Sequence, residues 1–404
     1  MTRRKTHPAP TISATPPAAP QSGYSDALRT AVQGTTARVQ EMHQAIAGQS
    51  FDLLTRIPII SGPAALARQV HDAIAGGVYA AIHHGTTGAL GAAAMVERAL
   101  PAGDPDAPSA RAMSSIRSAL NAAFGDYLAQ GGNVLAIDMG LQAAGRSVAP
   151  ETAALDAAYP SGGSKLCLFI HGLAFDEHCW EATHDGEIDF GRQLHEDFGL
   201  TPLYLRYNTG LPIAANGAQL AVLLEALLAA WPEQVDELIL IGHSMGGLIA
   251  REACEQAAAG DLFWPQVTRM LICLGSPHLG APLERLGHAV TSALQLHEIT
   301  APLGQIAAAR SQGIKDLRYG PGAEAVTPHD IALRFLGSTL TDDVDHPLSE
   351  WFGDGLVTLG SATDHPITGD VKSVRLGGIA HMALLTEPRV YARIKDWLNE
   401  GADA

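Results

Sequence analysis

Three short runs in the second half of the chain are apolar at nearly every position: Leu166 to Ile170, Leu238 to Ile241 and Met270 to Leu274. Continuous runs of this length predict strands buried on both faces, since a sheet with one wet face would alternate apolar and polar residues. Thr201 to Tyr207 predicts another strand, and Ala214 to Trp231 a helix whose buried stripe is Leu220, Leu223, Leu224, Leu227 and Leu228. Val134 to Met139, Gly355 to Leu359 and Ser373 to Leu376 extend the set of strands, and Arg389 to Leu398 closes the chain as a helix. Strands alternating with helices imply an α/β fold, a mostly parallel sheet with helices on both faces.

Between Leu283 and about Pro347 no core strand is expected. Leu283, Leu286, Val290, Leu294 and Ile299 fall there at helical spacing. We read the stretch as a helical cap inserted over the carboxyl edge of the sheet, where α/β crevices lie; the alternative is a helix on the outer face.

The first third has a different texture. Residues 1–22 are rich in Pro, Ala, Thr and Ser and predict a disordered tail. Helices are expected over 24–48, 64–99 and 109–129, with a break at Pro101 to Pro105. The organisation is therefore a tail (1–22), an N-terminal α-helical extension (23–130) and a main domain (131–404) with its cap insertion at about 283–347. A bundle packed on the main domain accounts for the helical part. A surface docking on a lipid layer, a granule or a partner is the sharper reading, and no motif supports it.

Composition narrows the partners. The 404 residues are 47% hydrophobic with a formal net charge of −16, which argues against nucleic acid or an anionic membrane as an electrostatic partner. Tyr79 to Val96 lacks Asp, Glu, Lys and Arg but holds His83, His84, two threonines and three glycines, so it predicts a packed helix rather than a transmembrane span. Met1 to Lys5 is followed by no leucine-rich apolar segment; a cytoplasmic location is the expectation. Cys167, Cys179, Cys254 and Cys273 have no metal-ligand spacing and are read as reduced thiols.

The candidate chemistry sits where one apolar run ends. Gly242-His243-Ser244-Met245-Gly246 fits G-x-S-x-G, in which small residues let a strand turn sharply into a helix and push a serine hydroxyl into the open. A serine needs a histidine to take its proton and a carboxylate to orient that histidine. Among 17 histidines, His381 is favoured because it follows the last strand just before the closing helix; His278, His346 and His365 are its rivals. For the acid, Asp354 stands between Gly353 and Gly355, with Asp342, Asp343, Asp345, Asp364 and Asp370 as competitors. The oxyanion formed on attack needs two N–H donors. Met245 N–H is the natural first, and Leu173 N–H the second, with Ala174 next.

Phe169-Ile170-His171-Gly172-Leu173, Gly242 to Gly247, Leu274-Gly275-Ser276-Pro277-His278-Leu279-Gly280-Ala281-Pro282, and Gly353-Asp354-Gly355-Leu356-Val357 followed by His381 occur in this order. In these motifs the chain from about 131 to 400 resembles an α/β-hydrolase of the bacterial lipase and esterase kind. The resemblance implies Ser244, Asp354 and His381 as a catalytic triad, Leu173 and Met245 as backbone oxyanion donors, and no cofactor. Some bacterial lipases carry a structural metal, but no ligand set for one is defined in this sequence. The function expected is a serine hydrolase cleaving carboxylic esters with an apolar acyl chain. The alternatives are an acyltransferase on the same triad and a non-catalytic lipid- or granule-binding protein.

Overall fold

The computed structural model describes residues 108–133, 135–282, 285, 311–318, 331–364 and 369–400. The tail and the helices expected over 24–48 and 64–99, with the stretch Tyr79 to Val96, lie outside the described residues.

The helix expected over 109–129 is α1 (Pro108–Gln130). Ile116, Ala119, Leu120, Ala123, Phe124 and Leu128 are buried at the three-and-four spacing of one helical face. Eight strands follow: β1 (Gly140–Ala143), β2 (Arg146–Val148), β3 (Lys165–Ile170), β4 (Thr201–Arg206), β5 (Glu237–His243), β6 (Thr268–Leu274), β7 (Ala332–Ser338) and β8 (Val371–Leu376). They form one sheet in the order β2-β1-β4-β3-β5-β6-β7-β8. The β1–β2 and β1–β4 pairs are antiparallel, and every pair from β4 to β8 is parallel. The helices between are α2 (Thr152–Ala158), α3 (Phe190–Phe198), α4 (Ile213–Ala230), α5 (Met245–Gly260), α6 (Gln312–Leu317), α7 (Ser349–Phe352), α8 (Leu359–Thr363) and α9 (Pro388–Asn399).

The apolar runs divide their residues between two cores, as period-two side-chain alternation requires. Leu166, Leu168 and Ile170 of β3, Leu238 and Leu240 of β5, and Leu271 and Cys273 of β6 pack on one face with α1, α4 and α5. Cys167, Phe169, Ile239, Ile241, Met270, Ile272 and Leu274 pack on the other, with α3 and α9. All four cysteines are free thiols. Burial pushes the Cys273 thiol up to about 12, so it stays protonated and unreactive. Among the described residues one helix, Ile213–Ala230, is long and apolar enough to cross a membrane, but it buries Ile213, Leu220, Leu224 and Leu227 inside this fold.

Three expectations need correction. Residues 135–139 are not a strand, because α1 takes their backbone groups. Asn121 Oδ1 accepts from Ile137 N at 3.0 Å, its Nδ2 donates to Leu135 O at 2.8 Å, and Arg117 Nη2 donates to Ala136 O at 2.7 Å. The strand starts instead at Gly140.

Secondly, the stretch expected to hold a cap and no core strand up to Pro347 contains β7, which lies between β6 and β8. Its apolar pattern is interrupted by Arg334, which is buried. Arg334 Nη1 and Nη2 reach Asp370 Oδ1 and Oδ2 at 3.0 and 2.9 Å, and Nη1 also donates to the Leu333 and Asp370 carbonyls. Leu283, Leu286, Val290, Leu294 and Ile299 lie outside the described residues.

Thirdly, Gly355 to Leu359 is not a strand but a turn running into α8. The N–H groups of Leu356 and Val357 donate to Asp354 Oδ1 at 3.0 and 2.8 Å, so they are unavailable to a ladder.

Arg334 supplies a test of the corrected sheet. Asp370→Ala leaves a buried guanidinium without its carboxylate and should cost about 1–3 kcal/mol, less than a fully buried pair because Asp370 is half exposed. Urea unfolding measures it, and adding Arg334→Met should recover most of the loss.

Candidate active site

β5 ends at His243, and the chain reverses at Ser244 into the first turn of α5. Ser244 has φ 53° and ψ −121°, a region that side-chain-bearing residues adopt only when their surroundings hold them there. The hold is visible on two sides. Ser244 N–H donates to Leu274 O at the end of β6, at 2.8 Å. On the other side Gly246 lies so close to β3 that a Cβ there would run into the carbonyls of Ile170 and His171.

The sequence-predicted acid and base meet. His381 Nδ1 lies 2.7 Å from Asp354 Oδ2, with both side chains buried. A carboxylate only accepts, so Nδ1 is the donor and Nε2 is the ring nitrogen turned away from Asp354. Asp354 is fixed by more than this contact. Its Oδ1 takes the two N–H groups of the following turn, its carbonyl accepts from His381 N at 3.0 Å, and Gly353 has φ 53°. A Cβ on Gly353 would collide with Val357 O, so only glycine lets this turn wrap the carboxylate.

The pair lies against the strand next to the elbow. A Cβ built on Gly275, one residue beyond β6, would lie 3.1 Å from Asp354 Oδ2 and 3.3 Å from His381 Cε1. Gly275 N in turn donates to Leu336 O of β7 at 2.8 Å. Ser244, Asp354 and His381 are thus gathered at the carboxyl ends of β5, β7 and β8, around the end of β6. Among the described residues Ser244 Oγ has no hydrogen-bond partner.

Sequence reasoning missed the part played by His243. Its Nε2 lies 3.0 Å from the His381 carbonyl, so it donates there, and the two rings are 4.6 Å apart. Its Nδ1 is buried with no partner among the described residues. Burial, with the neighbouring His381 second, holds His243 well below the usual histidine range; it is neutral. His171, stacked 4.4 Å from Tyr207, is also lowered by burial. The available signal was position: a residue flanking an elbow serine shares that serine's depth.

Leu173 follows His171 and Gly172 on the loop after β3. Gly172 approaches the elbow closely enough that a Cβ would lie 3.0 Å from Ser244 Cβ. Neither the Leu173 nor the Met245 N–H has an acceptor among the described residues, whereas Ala174 N–H is directed at Thr209 Oγ1, 3.4 Å away.

The competitors are placed elsewhere. His278 Nδ1 meets the buried Arg251 guanidinium at 2.8 Å. His346 Nδ1 accepts from Leu348 N, and His365 lies outside the described residues. Asp364 pairs with Arg375 at 2.6 Å, Asp370 with Arg334, and Asp343 accepts from Asp345 N. A Cβ on Gly377 or Gly378 would run into Asp342.

A serine held at a strand-to-helix reversal, followed in chain order by an acid after β7 and a histidine after β8, on this strand order, decides the fold. The chain folds as an α/β-hydrolase. A family model described as "PGAP1-like alpha/beta domain" matches residues 220–302 of this chain, the span that holds the elbow. Among solved structures it is similar to a Bacillus licheniformis lipase in mature form, with 17% identity over 58% of this chain and 91% of that one, at TM-score 0.42. Aspergillus fumigatus lipase B is similar at 18% identity, 63% and 59% coverage and TM-score 0.38. The naproxen esterase (carboxylesterase NP) of Bacillus subtilis is similar at 14% identity, 59% and 86% coverage and TM-score 0.36. No curated protein sequence matches the chain.

The buried neutral histidines make stability fall with acid. A histidine whose folded value lies below its unfolded one binds fewer protons when folded, so stability is complete above about pH 6.5 and is lost as pH falls below it. Each contributes a slope approaching about 1.4 kcal/mol per pH unit. Unfolding free energies measured from pH 7.5 to 5 should decline, and His243→Gln, which cannot take up a proton, should flatten the decline.

Proposed function

We propose that this α/β-hydrolase is a serine hydrolase that cleaves carboxylic esters with an apolar acyl chain through an acyl-enzyme. The observation that carries the reading is the buried His381–Asp354 contact beside the reversed backbone at Ser244. In the proposed cycle His381 Nε2 removes the Ser244 Oγ proton as Oγ adds to the ester carbonyl. The oxyanion is held by the N–H groups of Leu173 and Met245. The tetrahedral adduct collapses, the alcohol leaves with the proton from His381, and the acyl group stays on Oγ. Water, deprotonated by the same Nε2, then releases the acid and returns Ser244. Asp354 stays ionised throughout and stabilises the imidazolium.

An apolar acyl group suits the exposed side chains near the Asp354 turn. Leu340, Trp351 and Phe352, beside the Asp354 turn, and Leu279, on the loop after β6, are exposed. Exposed apolar side chains near a site favour an apolar ligand over a sugar or a charged one. The four free thiols suit a reducing compartment, and we infer a cytoplasmic setting. Recovery of the protein outside the cytoplasmic fraction of its cell would overturn that part.

Hydrolysis of p-nitrophenyl esters of increasing chain length tests the function. Ser244→Ala should remove at least about a thousandfold of kcat with the fold intact, and Asp354→Asn should remove on the order of 10³–10⁴ by stabilising the wrong tautomer. Turnover by Ser244→Ala near the unmodified rate would sink the proposal.

A further inference from the structure

Helix α1 precedes the sheet, yet four of its polar contacts reach the loops after β3 and β4 and the start of α6. Ser114 Oγ donates to Asp176 Oδ2 at 2.6 Å on the loop after β3. The Gly125 carbonyl accepts from Asn208 Nδ2 at 2.9 Å on the loop after β4. The Ala122 carbonyl accepts from Ser311 Oγ at 2.6 Å, and Asp126 Oδ2 from Gln312 N at 3.1 Å, at the start of α6.

The first of these contacts bears on the reaction. Residues 172–175 form a turn closed by Phe175 N–H donating to Gly172 O at 3.4 Å, and Leu173 sits within it. The turn carries Ala174 at φ 67°, a left-handed conformation that glycine takes readily and alanine resists. Its closing bond is long, so the turn needs a hold from outside. Asp176, the next residue, is 5% exposed and supplies one. Its Oδ1 accepts from His178 N at 3.2 Å and starts the short 3₁₀ turn Glu177–Trp180, while Oδ2 is tied to α1 through Ser114.

We propose that Ser114 is a positioning residue: acting through Asp176, it holds the Gly172–Phe175 turn so that Leu173 N–H faces the acyl oxygen above Ser244. Helix α1 is then part of the active site rather than an appendage. The proposal rests on the ester-hydrolase reading given above.

Steady-state hydrolysis of p-nitrophenyl butyrate by the full chain tests it, with Ser114→Ala, Ser114→Thr, Asp176→Ala and the Ser114→Ala/Asp176→Ala pair. Loss of an oxyanion donor typically costs about a hundredfold or more, so a loosened donor should cost on the order of tenfold. Ser114→Ala is expected to lower kcat by that factor with KM within about twofold, and Ser114→Thr, which keeps the hydroxyl, to restore it. The pair should be no slower than Asp176→Ala alone, because the two act as one unit. Thermal unfolding run alongside separates a folding defect from a positioning one, and Ser114→Ala with Ser114→Thr carries the test if Asp176→Ala does not fold. Ser114→Ala with unchanged kcat, a loss that threonine does not restore, or additive losses in the pair would overturn the proposal and leave the hydrolase reading intact. An unmodified chain that neither turns over ester nor takes a fluorophosphonate on Ser244 would overturn the hydrolase reading and this proposal with it.

Discussion

A carboxylate that is almost wholly buried is costly unless each oxygen finds a donor, and Asp354 meets that constraint in a way that shapes everything around it. One oxygen is spent on the following turn and the other on His381, so the group that orients the imidazole is itself held by backbone. The backbone is held in return: His381 N–H donates to the Asp354 carbonyl, and the His381 carbonyl accepts from His243. His243 belongs to the elbow strand. Asp354 and His381 are therefore tied to each other through main-chain groups, and to the elbow strand through the His243 ring.

The sheet explains why the linkage falls where it does. Strands buried on both faces must be joined by helices, and their carboxyl ends come together at one edge. The end of β6 is the common neighbour: Leu274 O takes the Ser244 N–H, and Gly275 leaves room for the Asp354 and His381 side chains. The neutrality of His243 belongs to the same constraint. A second imidazolium 4.6 Å from His381 would oppose the charge that His381 would gain in the proposed cycle.

Much of this was legible in the sequence because it is written in local signals. Runs such as Leu238 to Ile241 predict strands hidden on both sides, and the glycines of Gly242 to Gly247 predict a sharp turn. Asp354 was legible through its flanking glycines, although the reason differs from the expected one: they shape a turn around the carboxylate rather than end a strand. What failed depended on distant partners. β7 was hidden because Arg334 looks solvent-seeking until Asp370, far along the chain, is known to face it. The strand expected from residue 134 gave way to side chains of α1, whose reach across the sheet edge has no local signature. The same holds for Ser114 and Asp176, two ordinary polar residues until the fold brings them together.

The link between Ser244 and the buried pair is tested most directly by phosphonylation. The chain is incubated with a fluorophosphonate and the adduct located by peptide mass mapping, in the unmodified protein and in His381→Ala. One adduct per chain, on Ser244, with its rate of formation collapsing in His381→Ala, is the expected result. An adduct on another residue, or labelling of Ser244 undiminished without His381, would contradict it.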